Sequence, residues 1–164
     1  MSFGDDIRQD RKVRAFHEAG HAIVNVYIGL PFASVSLLGV DFGTVDDARC
    51  DAEQLIKLAK STTAGVLATH RYDRLHPDAP LVHTDREGEQ DEQTLKEIAD
   101  HLKLNPSDAA IRDWKDEVQT LLETPQVWNA VEELARQLQE IQGFDSIPEE
   151  RVRAILQDSR IAKR

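Results

Sequence analysis

Val13, Phe16, Gly20, Ile23, Val24 and Tyr27 recur at helical spacing. They predict one amphipathic helix from about Arg11 to Ile28, with this stripe turned to the core. Asp10 stands where an N-cap would, and Gly29 with Pro31 stops the helix. The same helix carries His17-Glu18-Ala19-Gly20-His21. At about 3.6 residues per turn, His17 and His21 lie one above the other, so both rings can offer a nitrogen to one ion. Imidazole suits zinc at about 2.0–2.1 Å. Glu18 is rotated about 100° from His17. It does not easily share the ion, but it reaches a solvent molecule beside it, which suits a general base. The plain alternative is a pair of solvated histidines. It fits poorly with neighbours as apolar as Phe16, Ile23 and Val24, because buried imidazoles need polar partners.

A hydrolytic zinc site takes three protein ligands and keeps one position for solvent. Val24 and Tyr27 stand where a longer zinc motif has its glycine and third histidine. The third ligand is therefore expected to be a distant carboxylate, with Asp46, Asp47, Asp85, Glu89 and Asp91 as candidates. An acid in the first turn of a buried helix is held and aimed, which favours Asp91 or Glu89 over a loop residue.

The remaining pattern predicts a fold that is mainly α with a small β-sheet (α+β). Ala33–Leu38 reads as a strand, with Val35 and Leu37 on one face and Ser34 and Ser36 on the other. Gly39–Gly43 is turn-like, and a second short strand is expected near Thr44-Val45. Helices are expected from about Asp51 to Arg71, and from Glu89–Asp91 to the break at Asn105-Pro106. Ile111, Trp114, Val118, Leu121 and Leu122 mark the next. Another begins with Pro125 in its first turn and is capped by Gly143, and a last one starts near Pro148. Both tryptophans fall on helical stripes and read as core. Residues 72–88 form the longest connection, a length often functional. Residues 1–10 read as a polar arm and 11–164 as one domain, with a metal-site half at 11–104 and a helical half at 106–164.

Charge bounds the partners. The chain has 20 Lys and Arg against 30 Asp and Glu, a net charge of −10, which opposes nucleic-acid binding and docking on an anionic membrane. Cys50 is the single cysteine, so no intrachain disulfide forms. Ala22–Val40 is uncharged over about the length of a membrane span, but Asn25, Pro31, Ser34 and Ser36 interrupt it. It reads as a helix end, a turn and a strand. No basic segment followed by an apolar run opens the sequence, and a cytoplasmic location is the expectation.

The stretch AFHEAGHAIV (Ala15–Val24) closely resembles the zinc motif of the FtsH-type ATP-dependent metalloproteases. The similarity extends to ASVSLLG at 33–39, TAGVLATHRY at 63–72, DEQTLKEIADHL at 91–102 and VEELARQLQEIQGFDSIPEERVRAIL at 131–156. The resemblance implies a zincin-like helical metalloprotease domain with zinc on His17, His21 and Asp91 and with Glu18 as base. It implies a peptide laid along an edge strand around Val35, Ser36, Leu37 and Leu38, and it suggests a homo-oligomer. Two departures stand out. No G-x-x-x-x-G-K-[ST] occurs, so this chain has no P-loop of its own for ATP. Thr69-His70 replaces a pair of acids typical of the family, and His70 reads as a surface histidine or a support to the ligands. The expected function is zinc-dependent, ATP-independent hydrolysis of unstructured peptides or unfolded proteins. Two rivals are a catalytically silent zinc-binding module that acts in protein interaction or regulation, and a metal-free helical interaction protein.

Overall fold

Helix α1 (Phe3–Ile28) is the element against which most of the others pack. The structure is a computed structural model that describes residues 3–43, 51–81, 88–105, 107–143 and 145–161. α1 begins at Phe3 rather than Arg11, so residues 3–10 belong to the helix and are not a separate arm. Nothing in that polar stretch breaks a helix, and Asp10 pairs with Arg14 one turn on, at 3.2 Å. Arg11 ties the helix to the end of α5 (Pro125–Glu140) by donating from Nε to the Gln139 carbonyl at 3.1 Å and from Nη2 to the Ile141 carbonyl. The expected stripe is buried from Val13 to Val24, but Tyr27 at its end is 52% exposed.

Gly20 faces helix α2 (Ala52–Leu75). A Cβ on Gly20 would fall 2.6 Å from the Ala68 Cβ and 2.8 Å from the Ala64 carbonyl oxygen. The glycine therefore serves the close crossing of α1 and α2, with Ala64 and Ala68 as the facing residues. α2 starts on Asp51, whose side chain accepts from the Gln54 amide at 2.9 Å. It runs to Leu75, past the expected end, so the connection that follows is shorter than 72–88.

Strands β1 (Ser34–Ser36), β2 (Gly39–Asp41) and β3 (Ile147–Pro148) form an antiparallel sheet in the order β2-β1-β3. Leu37 and Leu38 make the two-residue turn between β1 and β2. β1 is thus shorter than expected, and the second strand occupies Gly39–Asp41, a stretch that reads as a turn. The expected strand at Thr44-Val45 lies outside the described residues. β3 pairs Ile147 and Pro148 with Val35 and Ser34, and joins the chain leading into α6 (Glu149–Ile161) to the middle of the sheet.

α3 (Glu89–His101) and α4 (Ala109–Glu123) match the expected helices closely. Pro125 begins α5, where its missing N–H removes no helical bond. One core joins α1 residues such as Phe16 and Ile23 to Trp128, Leu134 and Leu138 of α5 and Val152 of α6. The metal-site half and the helical half therefore share a core. A smaller cluster of Ala59, Ile98, Ala99, Ile111 and Trp114 fastens α3 and α4 to α2. Both tryptophans are core, as expected. Among the described residues no helix is long and apolar enough to cross a membrane.

Candidate metal centre

α1 places His17 and His21 on one face, and the first turn of α3 brings Asp91 to meet them. The His17 Nε2 lies 3.0 Å from Asp91 Oδ2, the His21 Nε2 lies 3.3 Å from the same oxygen, and the two nitrogens are 3.0 Å apart. For an ion bound at about 2.0–2.1 Å in a tetrahedral site, ligand atoms stand about 3.3 Å from one another. The triangle therefore has the size of one face of such a site.

The protons explain why these atoms need a cation. The His21 Nδ1 lies 2.7 Å from the Ser61 carbonyl oxygen. A carbonyl only accepts, so Nδ1 carries the hydrogen and Nε2 presents a bare lone pair to the centre. That arrangement also fixes the ring orientation, as metal-bound histidines require. Asp91 Oδ2 is buried close to both imidazoles, yet no donor meets it with hydrogen-bond geometry. Converging lone pairs in a buried place repel unless a proton or a metal ion sits among them. His17, His21 and Asp91 thus form a group that can hold a metal ion.

The ionisation of the group agrees with this. Burial pulls the His21 pKa down, but contact with Asp91, the Glu18 charge and the Ser61 carbonyl outweigh it, and the net shift is upward. Burial pushes Asp91 up, but the two imidazoles outweigh that and hold its carboxyl well below the usual range. As the third residue of α3, Asp91 also benefits from the positive end of the helix dipole. Without a metal a proton is drawn into the triangle; with one, the carboxylate is already ionised.

Glu18 lies beside the ligands, not among them. It lines the same cavity, of ≈ 340 Å³, together with His17, His21 and Asp91. Burial raises its pKa, and the neighbouring His21 and His17 charges temper the rise. A carboxylate of raised basicity at the edge of a metal cavity is equipped to accept a proton from solvent.

Sequence reasoning missed Gly65. A Cβ there would fall 2.5 Å from the His21 Nε2 and 2.6 Å from the His17 Nε2. α2 crosses directly over the pair of imidazoles, and only a hydrogen at this position leaves their nitrogens free. The available signal was a glycine in the middle of a long helical pattern, where it costs about 1 kcal/mol relative to alanine and so calls for a reason. Gly88 has a similar part in placing Asp91. It precedes α3 with φ +83°, and a Cβ on it would meet Val66 Cγ2 at 2.8 Å, so α3 starts hard against α2.

The other acidic candidates do not join the group. Glu89 is exposed at the start of α3, and Asp46, Asp47 and Asp85 lie outside the described residues. His70 is exposed on α2 and is not one of the three ligands. The expected peptide strand needs correction. β1 is the central strand, paired on both sides at Ser34 and Val35, so Val35 offers no open edge, while Ser36 pairs with Gly39 of β2 alone. Leu37 is in the turn. Leu38 alone of the four lines the metal cavity, and it is 65% exposed. Among the described residues β2 and β3 are the outer strands, and Gly39 and Val40 of β2 line the cavity, followed by Phe42.

Compared with protein-family models, curated proteins and solved structures, the chain finds no match. What it does must be read from the site.

Proposed function

We propose that the chain is a zinc-dependent metallopeptidase with a zincin-like catalytic domain of the FtsH type, acting on unstructured peptides or unfolded proteins. The observation that carries this reading is the convergence of His17, His21 and Asp91 around one point, with Glu18 on the wall of the same cavity. Two imidazoles and one carboxylate, with space left for solvent, are the donor set of hydrolytic zinc. A zinc ion held there supplies Lewis acidity, activating water and polarising a peptide carbonyl.

The protein's own groups do the remaining work. Ser61 holds the His21 ring by its Nδ1–H. Glu18 accepts a proton from the attacking water and returns it to the leaving amine, a role its upward-shifted pKa favours. The outer edge of β2, beside the cavity, suits an extended peptide as an added strand. A folded protein does not fit such an edge. Flexible chains are therefore the substrate class.

A silent zinc-binding module is the second reading. It is favoured by Thr69, whose Oγ1 donates to the Val66 carbonyl of its own helix at 2.8 Å, so this position adds no acid to the site. Cleavage of a quenched casein or peptide substrate separates the two. The wild-type protein is expected to cleave it in a chelator-sensitive manner. Glu18→Gln is expected to keep its metal and lose turnover by at least about a hundredfold. Equal turnover in Glu18→Gln removes Glu18 as base, and an inactive wild type with zinc bound favours the silent module.

A further inference from the structure

The end of α1 meets α2 and α4 at a second cavity, of ≈ 300 Å³, which shares no lining residue with the metal cavity. Ile28, Val118 and Leu121 line it with apolar carbon, and all three belong to the main core or pack against it. Tyr27 forms a further wall. It continues the apolar stripe of α1, yet the core leaves it half exposed. Lys60 of α2 and Glu117 of α4 line the same cavity and form an ion pair with each other. Thr120 and Thr124 complete the lining, and the Thr124 hydroxyl donates to the Thr120 carbonyl at 3.4 Å.

We propose that this cavity binds a free α-amino acid with an apolar side chain of about leucine size. Sites for whole small molecules begin at about 300 Å³, so the space suffices for such a guest. The charges argue for its class. An α-amino acid carries an ammonium and a carboxylate on one carbon, and so needs an anion and a cation side by side. Glu117 and Lys60 supply them, and their own pairing does not exhaust them. A lysine ammonium has three donors, and a carboxylate has a second oxygen. The guest carboxylate accepts from a remaining Lys60 N–H, and the guest ammonium donates to Glu117 Oε1. α1 also ends here with no basic residue in its last turn, so the negative end of its dipole favours the ammonium. Val118 is buried while Glu117 is exposed, which puts carbon on the floor and charge at the mouth. The guest side chain therefore lies on Val118 and Leu121, against Tyr27. A residue inside a peptide carries neither charge, and one at a peptide's end carries only one, so the free amino acid fits best. This site does not depend on the metal or on the peptidase reading.

The test is an amide NMR titration of the zinc-loaded protein with leucine, glycine, N-acetylleucine and leucinamide. Leucine is expected to shift the amides of Tyr27, Thr120 and Leu121 saturably, in the millimolar range. Glycine is expected to bind about tenfold more weakly, because it buries no side chain. The two analogues with a single charge are expected to bind about threefold more weakly or worse, the scale of an exposed ion pair. Glu117→Gln is expected to bring leucine down to the level of N-acetylleucine and leave N-acetylleucine itself unchanged. Tyr27→Ala is expected to weaken leucine and not glycine, and both changes lie at exposed positions that the fold tolerates. Leucine can also reach the zinc, and shifts confined to His17, His21 and Asp91 would overturn the second site. So would equal affinity for leucine and either single-charge analogue, or leucine binding that neither variant changes.

Discussion

Gly65 on α2 lies so close to His17 on α1 that a Cβ added to it would stand 2.6 Å from the ring Nε2. A residue with no side chain thus governs whether two others can bind a metal.

Gly65→Ala tests that relationship without removing a ligand. The added methyl meets the ends of two imidazoles rather than backbone; turning them aside costs the His21–Ser61 hydrogen bond, about 1 kcal/mol, so the metal-free fold is expected to keep its melting temperature within several degrees. Alanine is also the better helix former, by about 1 kcal/mol. Metal affinity is expected to fall by about 10–100-fold or more, the loss seen when support around ligands is disturbed. Chelator competition and thermal melting of the same samples measure both. Unchanged affinity would show that α2 does not wall the site.

Gly20 should behave in the opposite way. Its missing Cβ is demanded by the Ala64 backbone, which cannot rotate aside. Gly20→Ala is expected to destabilise the fold by about 1–3 kcal/mol through overpacking, whether or not metal is present. Urea unfolding with and without zinc measures this, and a loss seen only in the zinc-loaded form would contradict it.

Metal binding should depend on pH in a defined direction. Burial opposes the charged form of His21, but its contact with Asp91 prevails and raises its pKa. In the metal-free protein the protonated contact stabilises the fold at low pH, and that stability is lost as pH rises through the raised folded value. A metal must displace this proton, whereas Asp91 is held below the usual carboxylate range and is already ionised. The zinc-induced rise in melting temperature is therefore expected to be small near pH 5.5 and large near pH 8. A rise independent of pH over that interval would contradict the ligand assignment.

The histidine pair and its glutamate were legible in the sequence because a helix fixes what four residues of spacing mean. Glu89 and Asp91 also stood out, because an acid in a first helical turn is aimed. The choice between them depends on the phase of α3 against α1, which is tertiary and is set in part by Gly88 against Val66. The strand was misjudged for a similar reason. Alternation at Ser34–Leu38 shows that a strand is present, but not that Ile147 and Pro148 return to cover its other side. Gly39–Asp41 carries turn residues yet pairs as a strand, because the Leu37-Leu38 turn folds it onto β1. The N-terminal turns of α1 escaped because Phe3 and Ile7 stand alone among polar residues and Gly4, too few to give a periodic signal.

The metal centre itself is tested most directly by zinc stoichiometry in protein made without a histidine tag, comparing wild type with Asp91→Ala. The wild type is expected to bind one equivalent of zinc tightly, and Asp91→Ala, in which only the two imidazoles remain, is expected to lose it on dialysis. A wild type that binds no metal, or an Asp91→Ala protein that keeps a full equivalent, would contradict a centre built from His17, His21 and Asp91.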